Sequence, residues 1–258
     1  MTLAGRGAVV TGGSRGIGLA VARALAEAGA AVVLAARAPD RLEAVAMELG
    51  AAGRRAWAVP CDVADPEGVR TLAREAESRL GHVDILVNNA GISHSAPVQK
   101  TTLEDWNRLL TVNATGPFLC TQAFLPGMLA RGWGRVVNIA SVAGLSGGKY
   151  IAAYSASKHA VLGFTRAIAL ELARKGVTVN AICPGWVETE MTASTIDRIV
   201  KTTGRSADEA RRTLEAMSPQ QRLIRPEEVA AVAVFLAGDA ASGITGQAID
   251  VDGGEVMA

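Results

Sequence analysis

The sequence predicts a doubly wound α/β fold, a parallel sheet with helices on both faces. Short apolar, β-branched runs alternate with longer helical stretches from one end of the chain to the other. Several runs, Ala30–Ala36 among them, lack in/out alternation, as strands covered on both faces do. The 258 residues suffice for one large α/β domain with a substantial core.

In chain order, Gly7–Thr11 opens the pattern as a strand and Gly16–Ala28 follows as a helix. The aliphatic run Ala30–Ala36 is the second strand, with a helix at Pro39–Leu49. A strand at Arg55–Val59, a helix at Pro66–Leu80 and a strand at Val83–Asn88 continue the alternation. Leu103–Met128 reads as one long helix before a strand at Arg135–Ala140. A helix at Ala153–Lys175 precedes the strand Thr178–Ile182. The polar stretch Glu190–Arg225 interrupts the pattern and reads as two short helices in lid position. A helix at Pro226–Ala237 and a strand at Gln247–Val251 complete it. No linker or repeat appears, so residues 1–258 are expected to form one domain with a lid insertion at about 190–225. Right-handed crossovers then put ligands at the carboxyl ends of the strands, near the reversal of strand order.

A formal net charge of +1 gives no electrostatic case for nucleic acid or an anionic membrane. The longest apolar runs are too short to span a bilayer. Met1–Gly7 runs straight into a strand, which leaves no room for a signal peptide. Cys61, Cys120 and Cys183 are odd in number and far apart, so neither a disulfide framework nor a metal site is expected. A reducing, cytoplasmic setting is the expectation.

Chemistry concentrates in two places. The first is Tyr154-Ser155-Ala156-Ser157-Lys158, with Ser141 thirteen residues upstream. On a helix, a spacing of four puts phenol and ammonium on one face, one turn apart. The cation is expected to pull the phenol down from about 10, toward the range of a working acid or base. A serine beside it suits a carbonyl oxygen. The second is Thr11-Gly12-Gly13-Ser14-Arg15-Gly16-Ile17-Gly18, between first strand and first helix. Gly12, Gly16 and Gly18 permit a tight turn and close approach of a pyrophosphate to the helix amides. The second strand ends in Ala35-Ala36-Arg37, where an acidic residue would take a ribose 2′-hydroxyl. Arg37 and Arg15 are placed instead to pair with a 2′-phosphate, which predicts NADP(H) over NAD(H). Asp62 is expected at the adenine edge or as a helix cap.

Jointly the glycine pattern, Asn88-Asn89-Ala90-Gly91, Asn113, Ser141, Tyr154-x3-Lys158 and Pro184-Gly185-Trp186-Val187-Glu188-Thr189 resemble the short-chain dehydrogenase/reductases, over essentially the whole chain. The resemblance implies a Rossmann-type seven-stranded sheet in the order 3-2-1-4-5-6-7, and a homotetramer or homodimer. It implies a catalytic tetrad on Asn113, Ser141, Tyr154 and Lys158. Ser141 would hold the substrate carbonyl, Tyr154 would protonate it, and Lys158 would tune Tyr154 and hold the nicotinamide ribose. A backbone kink at Asn113 would hold a water that relays protons to the lysine. Cofactor contacts are implied for Gly12, Ser14, Arg15, Gly16, Ile17, Gly18, Arg37, Asp62, Val63, Asn89, Ala90, Gly91, Tyr154, Lys158, Pro184, Gly185, Val187 and Thr189. Asn89 and Gly91 would abut the adenosine, and Thr189 with the Val187 backbone would grip the carboxamide.

The segment Tyr154–Ser194 looks most like bacterial ketoreductases acting on 3-oxoacyl thioesters or aromatic polyketide intermediates. The polyketide branch carries Pro-Gly-Gly where this chain has Ile92-Ser93-His94-Ser95-Ala96-Pro97, which disfavours a polyketide substrate. His94 is a candidate substrate contact or an exposed loop histidine, whereas His82 and His159 read as structural. The lid from Arg198 to Arg225 holds seven Lys/Arg against three acidic residues, a net +4 that suits coenzyme A phosphates or an acidic carrier, or a solvated helix face. Two rivals stand beside the reductase. One is a secondary-alcohol or dihydrodiol dehydrogenase running oxidatively with NAD(P)+. The other is a non-catalytic nucleotide sensor, against which the joint presence of Ser141, Tyr154 and Lys158 argues.

Overall fold

Seven aliphatic strands form one parallel sheet in this computed structural model, which describes residues 2–257. The strands are β1 (Gly7–Thr11), β2 (Ala31–Ala36), β3 (Ala56–Pro60), β4 (Ile85–Asn88), β5 (Gly134–Ile139), β6 (Val177–Pro184) and β7 (Ala248–Val251). Their order is β3-β2-β1-β4-β5-β6-β7, so the direction of winding reverses between β1 and β4. The helices are α1 (Gly16–Glu27), α2 (Pro39–Ala51), α3 (Pro66–Leu80), α4 (Leu103–Leu110), α5 (Gly116–Arg131), α6 (Ala152–Leu172), α7 (Glu190–Thr203), α8 (Ala207–Glu215) and α9 (Pro226–Ala237).

Strand residues divide between two cores because successive side chains point to opposite faces. Val10, Val32, Leu34, Ile85 and Val87 pack under α1, α2 and α9, against Val21, Leu25, Leu42 and Leu236. Val9, Val33, Leu86, Val136 and Val179 face the other way, onto Leu72, Phe124, Met128 and Leu172. Burying each such side chain contributes about 1.5–3 kcal/mol, which is why β1, β2 and β4 read as apolar runs. The edge strand β3 is only partly buried and tolerates Pro60 at its end. No described helix is long and apolar enough to cross a membrane, and Cys61, Cys120 and Cys183 are all free and buried.

One expected element is divided. The stretch read as a single helix over Leu103–Met128 breaks at a π turn, Thr111–Thr115, before α5. A Cβ at Gly116 would lie 2.8 Å from Val63 Cγ2, so glycine admits Val63 against the helix. Pro117, the second residue of α5, then has no N–H to continue the preceding ladder. The polar stretch after β6 does form two helices, α7 and α8. The cap of α3 is Asp65, whose carboxylate accepts from the Glu67 and Gly68 amides, and not Asp62. Among the described residues the Asp62 carboxylate accepts from the Ala64 amide alone, at 3.0 Å.

Asp65→Ala is expected to cost about 1 kcal/mol and lower the melting temperature by about 2–4 °C. Asp62→Ala, which strips no helix cap, should melt within a degree or so of the parent in the same thermal scans.

Candidate active site

Small residues let β5 and α6 meet closely. A Cβ at Gly144 would lie 2.9 Å from the Lys158 carbonyl oxygen, so the turn after β5 presses directly on the first turns of α6. Ser155 Oγ fastens that contact by donating to the Ala143 carbonyl at 2.7 Å. Ser141 follows β5 and caps the same turn, its Oγ accepting from the Ala143 amide at 3.1 Å. Tyr154 and Lys158 lie one turn apart on α6, with Lys158 Nζ 5.8 Å from the centre of the phenol ring. The ammonium donates to the carbonyl of Ile139, the last residue of β5, at 2.9 Å.

Asn113 sits in the π turn and is buried. Its Oδ1 accepts from the Ile92 amide at 2.9 Å, and its Nδ2 donates to the Ile92 carbonyl at 2.9 Å and to Ser157 Oγ at 3.0 Å. Ser157 Oγ in turn donates to the Tyr154 carbonyl at 2.7 Å. The amide side chain thus holds the β4 loop to α6, with both its N–H donors and one oxygen lone pair engaged. Gly91 is where the groups converge: a Cβ there would lie 3.3 Å from Asn113 Oδ1 and 3.7 Å from Lys158 Nζ.

Burial governs both titrating groups. It pushes the Tyr154 phenol up from 10.0, and the hydrogen bond with Ser141 only opposes that rise. It brings Lys158 down from 10.5 to about 8. The free protein therefore differs from the expectation that Lys158 draws the phenol down. The desolvation of the phenol outweighs other influences, and the ammonium is turned to the Ile139 carbonyl.

The glycine-rich turn lies at the same edge of the sheet. Thr11 Oγ1 accepts from the amides of Asn89 and Ala90 at 3.0 and 3.1 Å. Asn89 Nδ2 donates to the carbonyls of Thr11 and Gly12 at 2.9 and 3.2 Å, so this side chain braces the turn from the next strand. Side chains are excluded from it. A Cβ at Gly12 would lie 2.6 Å from Asn89 Nδ2, and one at Gly18 2.3 Å from the Gly12 carbonyl. No side chain caps α1, so its first-turn amides keep their donors for a ligand. This cradle fits the pyrophosphate of a dinucleotide. Ser14 is buried in the turn, Arg15 and Arg37 are exposed, and Val63 packs on Gly116. Pro184 ends β6, and Gly185 follows where a Cβ would crowd Asp252 at 3.0 Å. Thr189, the residue before α7, lies against the turn, its Cγ2 3.2 Å from a Cβ on Gly16, and its Oγ1 donates to the Val187 carbonyl at 3.4 Å.

Sequence reasoning missed four residues here. Thr11 and Ser157 read as ordinary strand and helix positions, and only their three-dimensional partners reveal them. Arg41, on α2, joins Arg15 in pairing with Glu190 at the start of α7. Other charges are spent internally. Arg211 pairs with Glu188 at 2.9 Å and Glu215 at 2.7 Å, and Arg222 with Glu228 at 2.7 Å, so the stretch Arg198–Arg225 presents less free positive charge than its composition implies. His94 lies 3.7 Å from Asp105, and the three histidines join no metal-binding group among the described residues.

The sequence profile of the short chain dehydrogenase family matches residues 6–199. A 3-oxoacyl-[acyl-carrier-protein] reductase of Synechocystis is 44% identical over 252 residues, 97% of this chain and 96% of that protein. A D-beta-hydroxybutyrate dehydrogenase of Rhizobium meliloti is 39% identical over 252 residues, 96% of this chain and 97% of that protein. Among solved structures, an actinorhodin polyketide ketoreductase variant crystallised with NADPH superposes with a TM-score of 0.94 at 42% identity, covering 99% of each chain.

Lys158 provides a stability test. Folded, it releases its proton near 8, and unfolded near 10.5. Between those values the unfolded chain binds the extra proton, so the free energy of unfolding rises with pH across the window. Wild type is expected to gain a few kcal/mol on Lys158→Met between pH 8 and 10.5 in paired denaturant titrations. A difference that stays flat with pH would contradict a buried, depressed ammonium.

Proposed function

This chain belongs to the short-chain dehydrogenase family of oxidoreductases acting on CH–OH groups, and we propose that it reduces the ketone of a 3-oxoacyl thioester with NADP(H). The observation that carries the proposal is the convergence of Ser141, Tyr154 and Lys158 between β5 and α6, beside a glycine cradle that admits no side chain. NADPH, when bound, supplies the hydride that reduces the carbonyl carbon.

The residues of the chain do the rest. Ser141 Oγ donates a hydrogen bond to the substrate oxygen and fixes it beside the phenol. Tyr154 gives that oxygen its proton as negative charge develops there. Burial moves the phenol above its ordinary 10.0, so at neutral pH it is in the protonated form a reductive acid needs. Lys158, poised near 8, is close enough to neutrality to return a proton to the phenolate. Asn113 positions α6 through Ser157 and holds open the π turn along which water reaches the lysine. Arg15 and Arg37, with Arg41, recognise a 2′-phosphate, since Ala36–Arg37 offers no carboxylate to a 2′-hydroxyl.

A thioester is favoured over an aromatic polyketide because the loop after β4 reads Ile92–Pro97 and lacks Pro-Gly-Gly. Helices α7 and α8 act as a lid on a single domain. An exposed apolar face on α5 and α6, with Phe118 edge-to-face with Phe164 and Leu170 82% exposed, is the subunit contact of a homodimer or homotetramer. Three buried free thiols accord with a cytoplasmic setting. The similarity to a hydroxybutyrate dehydrogenase favours a second reading, oxidation of a 3-hydroxy acid with NAD+.

A panel of 3-oxoacyl thioesters, cyclic ketones and 3-hydroxybutyrate, each assayed with NADP(H) and NAD(H), separates the two. Thioester reduction with NADPH is expected, and hydroxybutyrate oxidation preferring NAD+ would replace it. Tyr154→Phe, which keeps the ring and removes the proton donor, is expected to lower kcat by about 10²–10⁴-fold. Near wild-type turnover in that variant would overturn the assignment.

A further inference from the structure

Arg15, in the glycine-rich turn, and Arg41, on α2, share one partner. Arg15 Nη1 donates to Glu190 Oε2 at 2.5 Å, and Arg41 Nη2 donates to Glu190 Oε1. Three separate elements meet at this carboxylate. Arg15 belongs to the turn before α1, Arg41 lies in the first turn of α2, and Glu190 is the first residue of α7, next to Thr189. Arg37, by contrast, makes no described ion pair or side-chain hydrogen bond.

We infer that Glu190 is an internal rival of the cofactor's 2′-phosphate, a latch that ties the lid to the phosphate-binding arginines until NADP(H) displaces it. The inference rests on the proposed NADP(H) preference and adds a residue that sets its strength. The chemistry is an exchange of anions. Glu190 offers one negative charge, whereas a phosphate monoester offers nearly two and three acceptor oxygens. All three side chains are about half exposed, with relative accessibilities of 59%, 50% and 49% for Arg15, Arg41 and Glu190, so the carboxylate returns to water at little cost. Once released it remains at the N-terminus of α7, where the helix dipole favours a negative charge. NAD(H) carries no phosphate to compete and leaves the latch shut.

The test is the ratio of dissociation constants for NADH and NADPH, measured by fluorescence titration of wild type, Arg37→Ala and Glu190→Gln. Arg37→Ala is expected to lower the ratio. Glu190→Gln keeps the size of the side chain but frees both arginines, and is expected to raise the ratio about three- to tenfold, the scale of two exposed ion pairs. Glu190→Ala should raise it similarly. Because a ratio cancels losses common to both ligands, partial misfolding does not imitate the effect. A ratio unchanged by Arg37→Ala overturns the NADP(H) reading and the latch with it. A ratio lowered by Arg37→Ala but unchanged or lowered by both Glu190 variants overturns the latch alone, and makes Glu190 a support for the arginines.

Discussion

A buried ammonium sets the terms for the rest of the site. Lys158 is 6% exposed and donates one described hydrogen bond, to the last carbonyl of β5. Desolvating a cation is costly, and the drop to about 8 is the measure of that cost. The charge is tolerated because α6 is pressed against the end of β5, through Gly144 and the Ser155 hydrogen bond. The same contact fixes Tyr154 one turn away and Ser141 opposite it. Stability is given up at Lys158 by holding its charge away from water, the arrangement by which functional sites shift the titration of a side chain.

The parallel sheet explains why this group and the glycine-rich turn are neighbours. All seven strands run the same way, so every carboxyl end opens on one edge, and the reversal between β1 and β4 parts the flanking helices there. Thr11 and Asn89 span that reversal with four hydrogen bonds and hold the turn in shape. The π turn in the middle of the α4–α5 stretch serves the other half, delivering Asn113 to Ser157 and Ile92. The two halves of the site are therefore rigid in different ways, one through backbone braces and one through a buried side-chain network.

Much of this was legible in the sequence, for identifiable reasons. Strands buried on both faces leave unbroken aliphatic runs, so β1, β2 and β4 announce themselves within two residues of their observed bounds. The Tyr154–Lys158 spacing survives as a helical face because nothing in α6 breaks the helix between them. Strand order came from the family resemblance, since local pattern carries no record of which strands pair. The π turn was hidden because Thr111–Thr115 is as compatible with an α-helix as with a wider turn, and Val63, which forces the approach at Gly116, is distant in sequence. Arg41 and Glu190 were hidden for the same reason, being 149 residues apart. The direction of the Tyr154 shift was misjudged because spacing reports proximity to a cation and is silent on burial.

Burial, more than the neighbouring cation, governs the Tyr154 phenol and holds it above its ordinary value. The chain has only two tyrosines, so Tyr150→Phe protein labelled with carbon-13 at tyrosine Cζ leaves a single resonance to follow. Titrated in the free protein, that resonance should report a phenol less than half ionised at pH 10, where an unperturbed tyrosine, at 10.0, is half ionised. A midpoint at or below 10 would contradict the account and return the governing influence to the neighbouring cation.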